Sequence, residues 1–322
     1  MKFKNHKKTG GQILIECLIK HSIDRVFCVP GESYLAALDA FYDFRKKIKL
    51  INAKHEATAS NMAEAYGKLT GKPGVAFVTR GPGACHASIG VHIAKQDSTP
   101  MVLFVGQVAT KMYGKGSFQE IDYVSMFSKV AKKSFQISKV ESIEKLIHKA
   151  FQISNSGRKG PVVIALPEDI LVKTTMQQNL SVFHIKKAMV NKDQILKIKS
   201  LLELSKKPLI ILGGTNWSEN SKKNIKIFVK KNHLPVVTSF RRQDLIDNRC
   251  KNYVGTLGTS VSPKLLAAFK EADLILSIGS RLSDMSTNSF KLFNKSSNKT
   301  KTIQIYPNFK EIKKVFNAEL YI

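Results

Sequence analysis

Residue types able to move a proton, or to let a ligand approach bare backbone, gather at a few points of this chain. Lys54-His55-Glu56-Ala57 follows the strand-like run 47–53. A carboxylate at the carboxyl end of a parallel strand, opening a helix, stands where open α/β sheets bind ligands. Proton transfer to or from a bound ligand is the chemistry that a carboxylate could do there. Taken alone, it reads more simply as a first-turn acid complementing the helix dipole. Pro30-Gly31 and Gly81-Pro82-Gly83 are tight turns that expose backbone, although a lone turn of this kind is ordinary loop punctuation. Further along, Gly213-Gly214-Thr215 and Gly279-Ser280-Arg281 are strand-then-glycine junctions without a GxGxxG. The four cysteines, Cys17, Cys28, Cys85 and Cys250, lie too far apart for a CxxC pair or a zinc spacing. Buried free thiols in a reducing compartment are expected, and no metal site.

The elements that must position these residues alternate from Gly10 onward, the order that gives a parallel sheet with crossover helices. Helices are predicted at 11–21, 34–44, about 57–69, from Pro82 onward and at 142–154, with strands at 25–29, 47–53, 75–79, 101–107 and 161–166. Gly81-Pro82-Gly83 turns strand 75–79 directly into a helix, with proline where a helix start tolerates it. Residues 172–190 are polar without a strong period and read as a linker. A second series follows, with helices at 193–205, 219–232, 262–271 and 309–316 and strands at 209–212, 235–238, 274–278 and 302–306. The class is α/β, with two doubly wound domains of mostly parallel sheet: residues 1–171, and a smaller Rossmann-like domain over 191–322.

A length of 322 residues suits two domains. The formal charge of +28 raises the question of a polyanion partner. The lysines, however, come as scattered pairs such as Lys132-Lys133, Lys206-Lys207 and Lys313-Lys314, beside no nucleic-acid-binding motif. A solvated basic surface is expected, with no specific nucleic-acid partner, and its field would still draw in anionic ligands. The basic N-terminus precedes no apolar signal core, and no apolar run reaches membrane-spanning length. A cytoplasmic protein without a membrane partner is expected.

Several segments share one register with Glu56: Val26-Phe27-Cys28-Val29-Pro30-Gly31-Glu32, Val78-Thr79-Arg80-Gly81-Pro82-Gly83-Ala84, Gly106-Gln107-Val108, and Gly116-Ser117-Phe118-Gln119-Glu120. With Ala63-Glu64-Ala65-Tyr66-Gly67 and Gly160-Pro161-Val162-Val163, their joint order resembles the pyrimidine-binding domain of thiamine diphosphate (ThDP) enzymes of the acetolactate synthase type, over about residues 10–171. The resemblance implies ThDP as cofactor. Glu56 would hydrogen-bond N1′ of the aminopyrimidine, favouring the tautomer whose 4′-nitrogen takes the thiazolium C2 proton. An apolar surround would help the carboxylate share that proton. Pro30, Gly31, Pro82 and Gly83 would form the wall against the ring, and Phe118 and Gln119 would border the substrate. Where the family usually has Thr-Asn after the GPGA turn, this chain has Cys85-His86. His86 either replaces the asparagine contact to the cofactor or is a packed core histidine.

The second half resembles the family's central domain. FAD is the ligand expected there, with an ADP-like nucleotide or no ligand as alternatives. Gly213, Gly214 and Gly279 are placed to receive a diphosphate-linked cofactor, with Arg281 supplying charge. The family's third domain binds Mg²⁺ and the cofactor diphosphate through a Gly-Asp-Gly segment, which this sequence lacks, so that domain is expected to be absent. The implied function is carboligation of 2-oxo acids, with pyruvate decarboxylated and its two-carbon unit passed to a second 2-oxo acid, as in branched-chain amino acid biosynthesis. Such a transferase component would be inactive without a diphosphate-binding domain supplied in trans, by a partner chain or within an oligomer. The alternatives are a ThDP-dependent 2-oxo acid decarboxylase or lyase component, and a non-catalytic ThDP- or nucleotide-binding subunit.

Overall fold

A computed structural model describes residues 7–177, 179–182, 189–215, 217–293, 300–313 and 317–322. They fall into two compact units, Met1–Lys186 and Lys187–Ile322. The first unit begins with strand β1 (Lys8–Thr9) and helix α1 (Gly10–Lys20). Thr9 starts that helix with a capping box, its hydroxyl accepting from Gln12 N while the Gln12 side chain accepts from Thr9 N. There follow β2 (Arg25–Cys28), α2 (Leu35–Asp43), β3 (Lys49–Asn52), α3 (Glu56–Thr70), β4 (Gly74–Val78), α4 (Pro82–Asp97) and β5 (Met101–Gln107). Next come α5 (Tyr123–Met126), β6 (Lys133–Gln136), α6 (Ile143–Asn155), β7 (Pro161–Pro167), α7 (Glu168–Val172) and β8 (Thr174–Thr175).

Six of these strands form one parallel sheet in the order β3-β2-β4-β5-β7-β6. Each central strand is buried on both faces, and its alternate residues divide between two cores. Phe77 of β4 stacks on Phe104 at 4.5 Å and meets Phe41 edge-on, in the core under α1, α2 and α6. Its neighbours Ala76 and Val78 point the other way, into a core rich in alanine under α3 and α4. Small side chains there let the two helices lie close to each other and to the sheet. The chain runs from β2 outward to β3 and returns across β2 to β4, so the carboxyl ends of β2 and β4 mark the point where strand order reverses.

The second unit runs α8 (Lys192–Leu204), β9 (Pro208–Leu212), α9 (Glu219–Lys231), β10 (Val236–Thr238), β11 (Tyr253–Thr256), α10 (Pro263–Glu271), β12 (Leu274–Ile278), β13 (Lys301–Ile305), α11 (Phe309–Ile312) and β14 (Leu320–Tyr321). Its parallel sheet has the order β11-β10-β9-β12-β13-β14, with Ile210 and Leu212 facing one core and Leu209 and Ile211 the other.

The α/β reading with two doubly wound, parallel sheets therefore holds, and the differences lie at the margins. Strands β6, β11 and β14 were not predicted. Each is an edge strand, half solvated, so it lacks the unbroken apolar run that reveals a central strand. Of the stretch 172–190, Val172 ends α7, and Thr174–Thr175 pairs antiparallel with Lys8–Thr9. A two-residue strand carries no readable period. Residues 178 and 183–188 of that stretch, and 314–316 of the predicted last helix, lie outside the described residues.

Candidate functional site

Glu56 is the first residue of α3, just beyond the carboxyl end of β3, and its side chain is 13% exposed. Its Oε2 lies 2.9 Å from Nδ1 of His86, one turn into α4. The ring is half exposed, so it is no packed core histidine, and its neighbour within the chain is the Glu56 carboxylate. His55 caps α3, its Nδ1 accepting from Ala57 N, and stacks on the His86 ring at 4.5 Å. The carboxylate thus has imidazole company, where an apolar surround was expected. Donor atoms of His55, Glu56 and His86 all lie within 4.8 Å of one another, a grouping able to hold a divalent cation although their spacing in the sequence forms no motif.

The other oxygen, Oε1, faces the Gly81-Pro82-Gly83 turn. A Cβ built on Gly83 would lie 3.5 Å from Oε1 and 2.9 Å from Thr79 Cγ2, and one on Gly31 would lie 2.5 Å from Thr79 Cβ. The two turns are therefore packed side by side at the ends of β2 and β4, with bare backbone beside the carboxylate. Pro30 and Pro82 are both exposed, and Pro82 occupies the first turn of α4. Gly81 has φ +53°, a conformation that favours glycine, and a Cβ there would meet Gln119 Cβ at 2.8 Å. Gln119 itself has φ +60°, while Phe118 is 73% exposed.

Two positioning groups were not foreseen. The buried phenol of Tyr123 accepts from Gly81 N at 2.7 Å and donates to Gln119 O at 3.5 Å, tying the glycine turn to the loop that bears Phe118. Burial pushes that phenol up to about 12, so it stays a neutral donor. Arg80, almost buried, pairs with Glu32 and, at 3.2 Å, with Glu168. It thereby links the loops after β2, β4 and β7 and leaves Glu56 out of the pairing. Neither tie has a signature in the sequence, because each joins segments distant along the chain.

In the second unit Gly213 and Gly214 follow β9, and Gly279 follows its neighbour β12. The two turns press backbone on backbone. A Cβ on Gly214, at φ +69°, would lie 2.1 Å from Gly279 O, and one on Gly279 would lie 2.4 Å from Gly213 O. Trp217 Nε1 donates to Gly213 O, and Arg242 donates to Gly214 O. Arg281 reaches Glu311 at 3.8 Å. These glycines are thus brought together, and turn-to-turn packing by itself accounts for them. Among the described residues, no helix is long and apolar enough to cross a membrane.

Residues 8–126 match the N-terminal TPP binding domain of thiamine pyrophosphate enzymes, and residues 195–322 match the central domain of the same enzymes. The chain belongs to the thiamine pyrophosphate enzyme family, of which it carries these two domains. It is 35% identical to the acetolactate synthase large subunit of Buchnera aphidicola subsp. Schizaphis graminum over 291 residues, covering 88% of this chain and 51% of that protein. It is 33% identical to the mitochondrial acetolactate synthase of Schizosaccharomyces pombe, covering 89% of this chain and 44% of that one. With the isozyme 3 large subunit of Escherichia coli K12 the identity is 32%, over 87% and 50% respectively. The chain spans about half the length of these relatives.

Proposed function

We propose that the first unit binds the aminopyrimidine of ThDP at the carboxyl ends of β2, β3 and β4, and that the chain serves in acetolactate synthase-type carboligation. The observation that carries this reading is the Glu56 carboxylate, sheltered at a strand end with one oxygen turned to bare glycine backbone. A flat ring fits against a wall without side chains, and Gly31 and Gly83 supply one. When bound, ThDP supplies the carbon nucleophile that adds to a 2-oxo acid and lets carbon dioxide leave. Glu56 Oε1 would hold and return a proton at the ring nitrogen, while His86 Nδ1 keeps Oε2 in place. Pro30 and Pro82 fix the flanks of the wall, and Gln119, held by the Tyr123 link, sets the border at which Phe118 would meet substrate. The +28 charge draws the anionic cofactor and substrate inward.

In the second unit, the junctions at Gly213, Gly214 and Gly279 would accept the diphosphate of a flavin nucleotide, with Arg281 nearby. Mg²⁺ and the ThDP diphosphate would be held by a diphosphate-binding domain from outside these two units.

The test has two arms. Titration with ThDP should show saturable binding by the chain that is lost in Glu56→Gln. Mixed with the remaining half of an acetolactate synthase, the chain should release carbon dioxide from pyruvate and form acetolactate, with Glu56→Gln lowering the rate by about 10²–10⁴-fold. Binding without turnover of any 2-oxo acid would retire carboligation and favour a non-catalytic subunit. Aldehyde as sole product would favour a decarboxylase, and no ThDP binding by the unsubstituted chain, or binding undiminished in Glu56→Gln, would remove the whole reading.

A further inference from the structure

We propose that Cys17, Glu144 and His148, buried between α1 and α6 of the first unit, form a binding site for a zinc-like divalent cation. The three side chains are 0%, 2% and 0% exposed, and one ligand atom from each lies within 4.8 Å of the other two. They come from helices more than a hundred residues apart in sequence, so no motif announces them.

Two independent features point to a cation. First, Glu144 Oε2 and His148 Nε2 are buried without a hydrogen-bond partner in the protein. Such groups are expensive to leave unsatisfied, and here two of them sit beside a thiol whose single hydrogen can serve only one. Second, the imidazole is held as metal-ligating histidines are held. His148 Nδ1 lies 2.8 Å from Nε2 of His21, whose ring is fixed by stacking on Phe151 at 4.1 Å. With Nδ1–H donating to His21, the lone pair of Nε2 turns toward Glu144 Oε1 at 3.7 Å. Metal–ligand bonds of about 2.0–2.3 Å in a tetrahedron place ligand atoms about 3.3–3.8 Å apart, which this separation fits. The carbonyl of Leu180 also faces the ring and offers the rival arrangement, in which Nε2 carries the proton.

The charge balance is simple. Binding M²⁺ converts the Cys17 thiol to a thiolate and releases one proton to solvent, leaving thiolate and carboxylate to neutralise the ion. Lys20, bonded to Glu144 Oε1 at 2.8 Å, is 30% exposed and also reaches the exposed Asn179, so it can turn outward and open the way in. A Cys, His and carboxylate set suits zinc or cobalt and disfavours magnesium or calcium.

The test uses Co²⁺ and Zn²⁺ as probes on the full chain after chelator treatment. His55, Glu56 and His86 offer a second grouping without sulfur, and Cys85 adjoins it, so the work is done in a Cys85→Ser background. One equivalent of Co²⁺ should give a thiolate-to-cobalt charge-transfer band with tetrahedral d–d bands, and Cys17→Ser should abolish the charge-transfer band and weaken Zn²⁺ binding at least tenfold. X-ray absorption of the zinc-loaded Cys85→Ser protein should show one sulfur among nitrogen and oxygen ligands, a reading that needs no core substitution. Absence of a charge-transfer band, a band that survives Cys17→Ser, or a zinc shell without sulfur would overturn the proposal.

Discussion

Glu56 has two oxygens in different company, one against the His86 imidazole and one against glycine backbone. A side chain's chemistry here is set by what the fold places within 3 to 4 Å of it. Lys132 shows the same rule away from the site. Its Nζ donates to the carbonyls of Ile153 and Ser156, yet burial, with Arg158 adding repulsion, lowers its value from 10.5 to about 8. Between those values the unfolded chain binds the proton and the folded chain does not, so folding stability rises with pH there. The penalty is complete below pH 8 and relieved by pH 10.5. Urea midpoints of the wild type should therefore gain on those of Lys132→Met as pH climbs through that window. Parallel profiles for the two proteins would show that the ammonium is not disfavoured where it sits.

At the scale of elements, the site is the product of how closely α3 and α4 pack. Gly90 of α4 lies against Ser60 of α3, where a Cβ would come within 2.5 Å of Ser60 Oγ and 2.6 Å of its carbonyl carbon. Because the second contact is backbone, trimming Ser60 would not make room. Gly90→Val should push the helices apart at a cost of about 1–3 kcal/mol. Glu56 and His86 sit one turn from this contact on the same two helices, so their 2.9 Å approach should lengthen with it. A drop in urea midpoint accompanied by weaker ThDP binding is expected. Unchanged stability in Gly90→Val, or unchanged Gly90→Val and Ser60→Ala/Gly90→Val affinities alongside lost stability, would separate helix packing from the site.

Over the whole molecule, 52 basic residues stand against 24 acidic ones, and most ion pairs among the described residues lie at the surface. Such pairs add little individually, whereas an excess of one sign repels itself across the surface. Raising the salt from about 0.01 M to 0.15 M shortens the screening length from about 30 Å to about 8 Å. The melting temperature should rise by a few degrees, corresponding to about 1 kcal/mol, instead of falling as lost surface pairs would make it. Differential scanning calorimetry at the two salt concentrations reads this directly. With separate cores in its two units, the chain should also give a calorimetric enthalpy exceeding the van't Hoff value.

Legible in the chain alone were the alternation of the longer helices and strands, the central strands of both sheets and the strand end on which Glu56 stands. Those features are local, since a strand buried on both faces must be apolar throughout, and a turn that needs bare backbone must show glycine. Tertiary structure alone decided that His86, thirty residues on, would face Glu56, that Tyr123 would hold the Gly81 turn, and that Cys17 would meet Glu144 and His148. It also decided the solvated edge strands β6, β11 and β14, which pair through backbone groups common to every residue. Contacts between elements depend on how helices seat on a sheet, and that seating leaves no spacing in the chain to read.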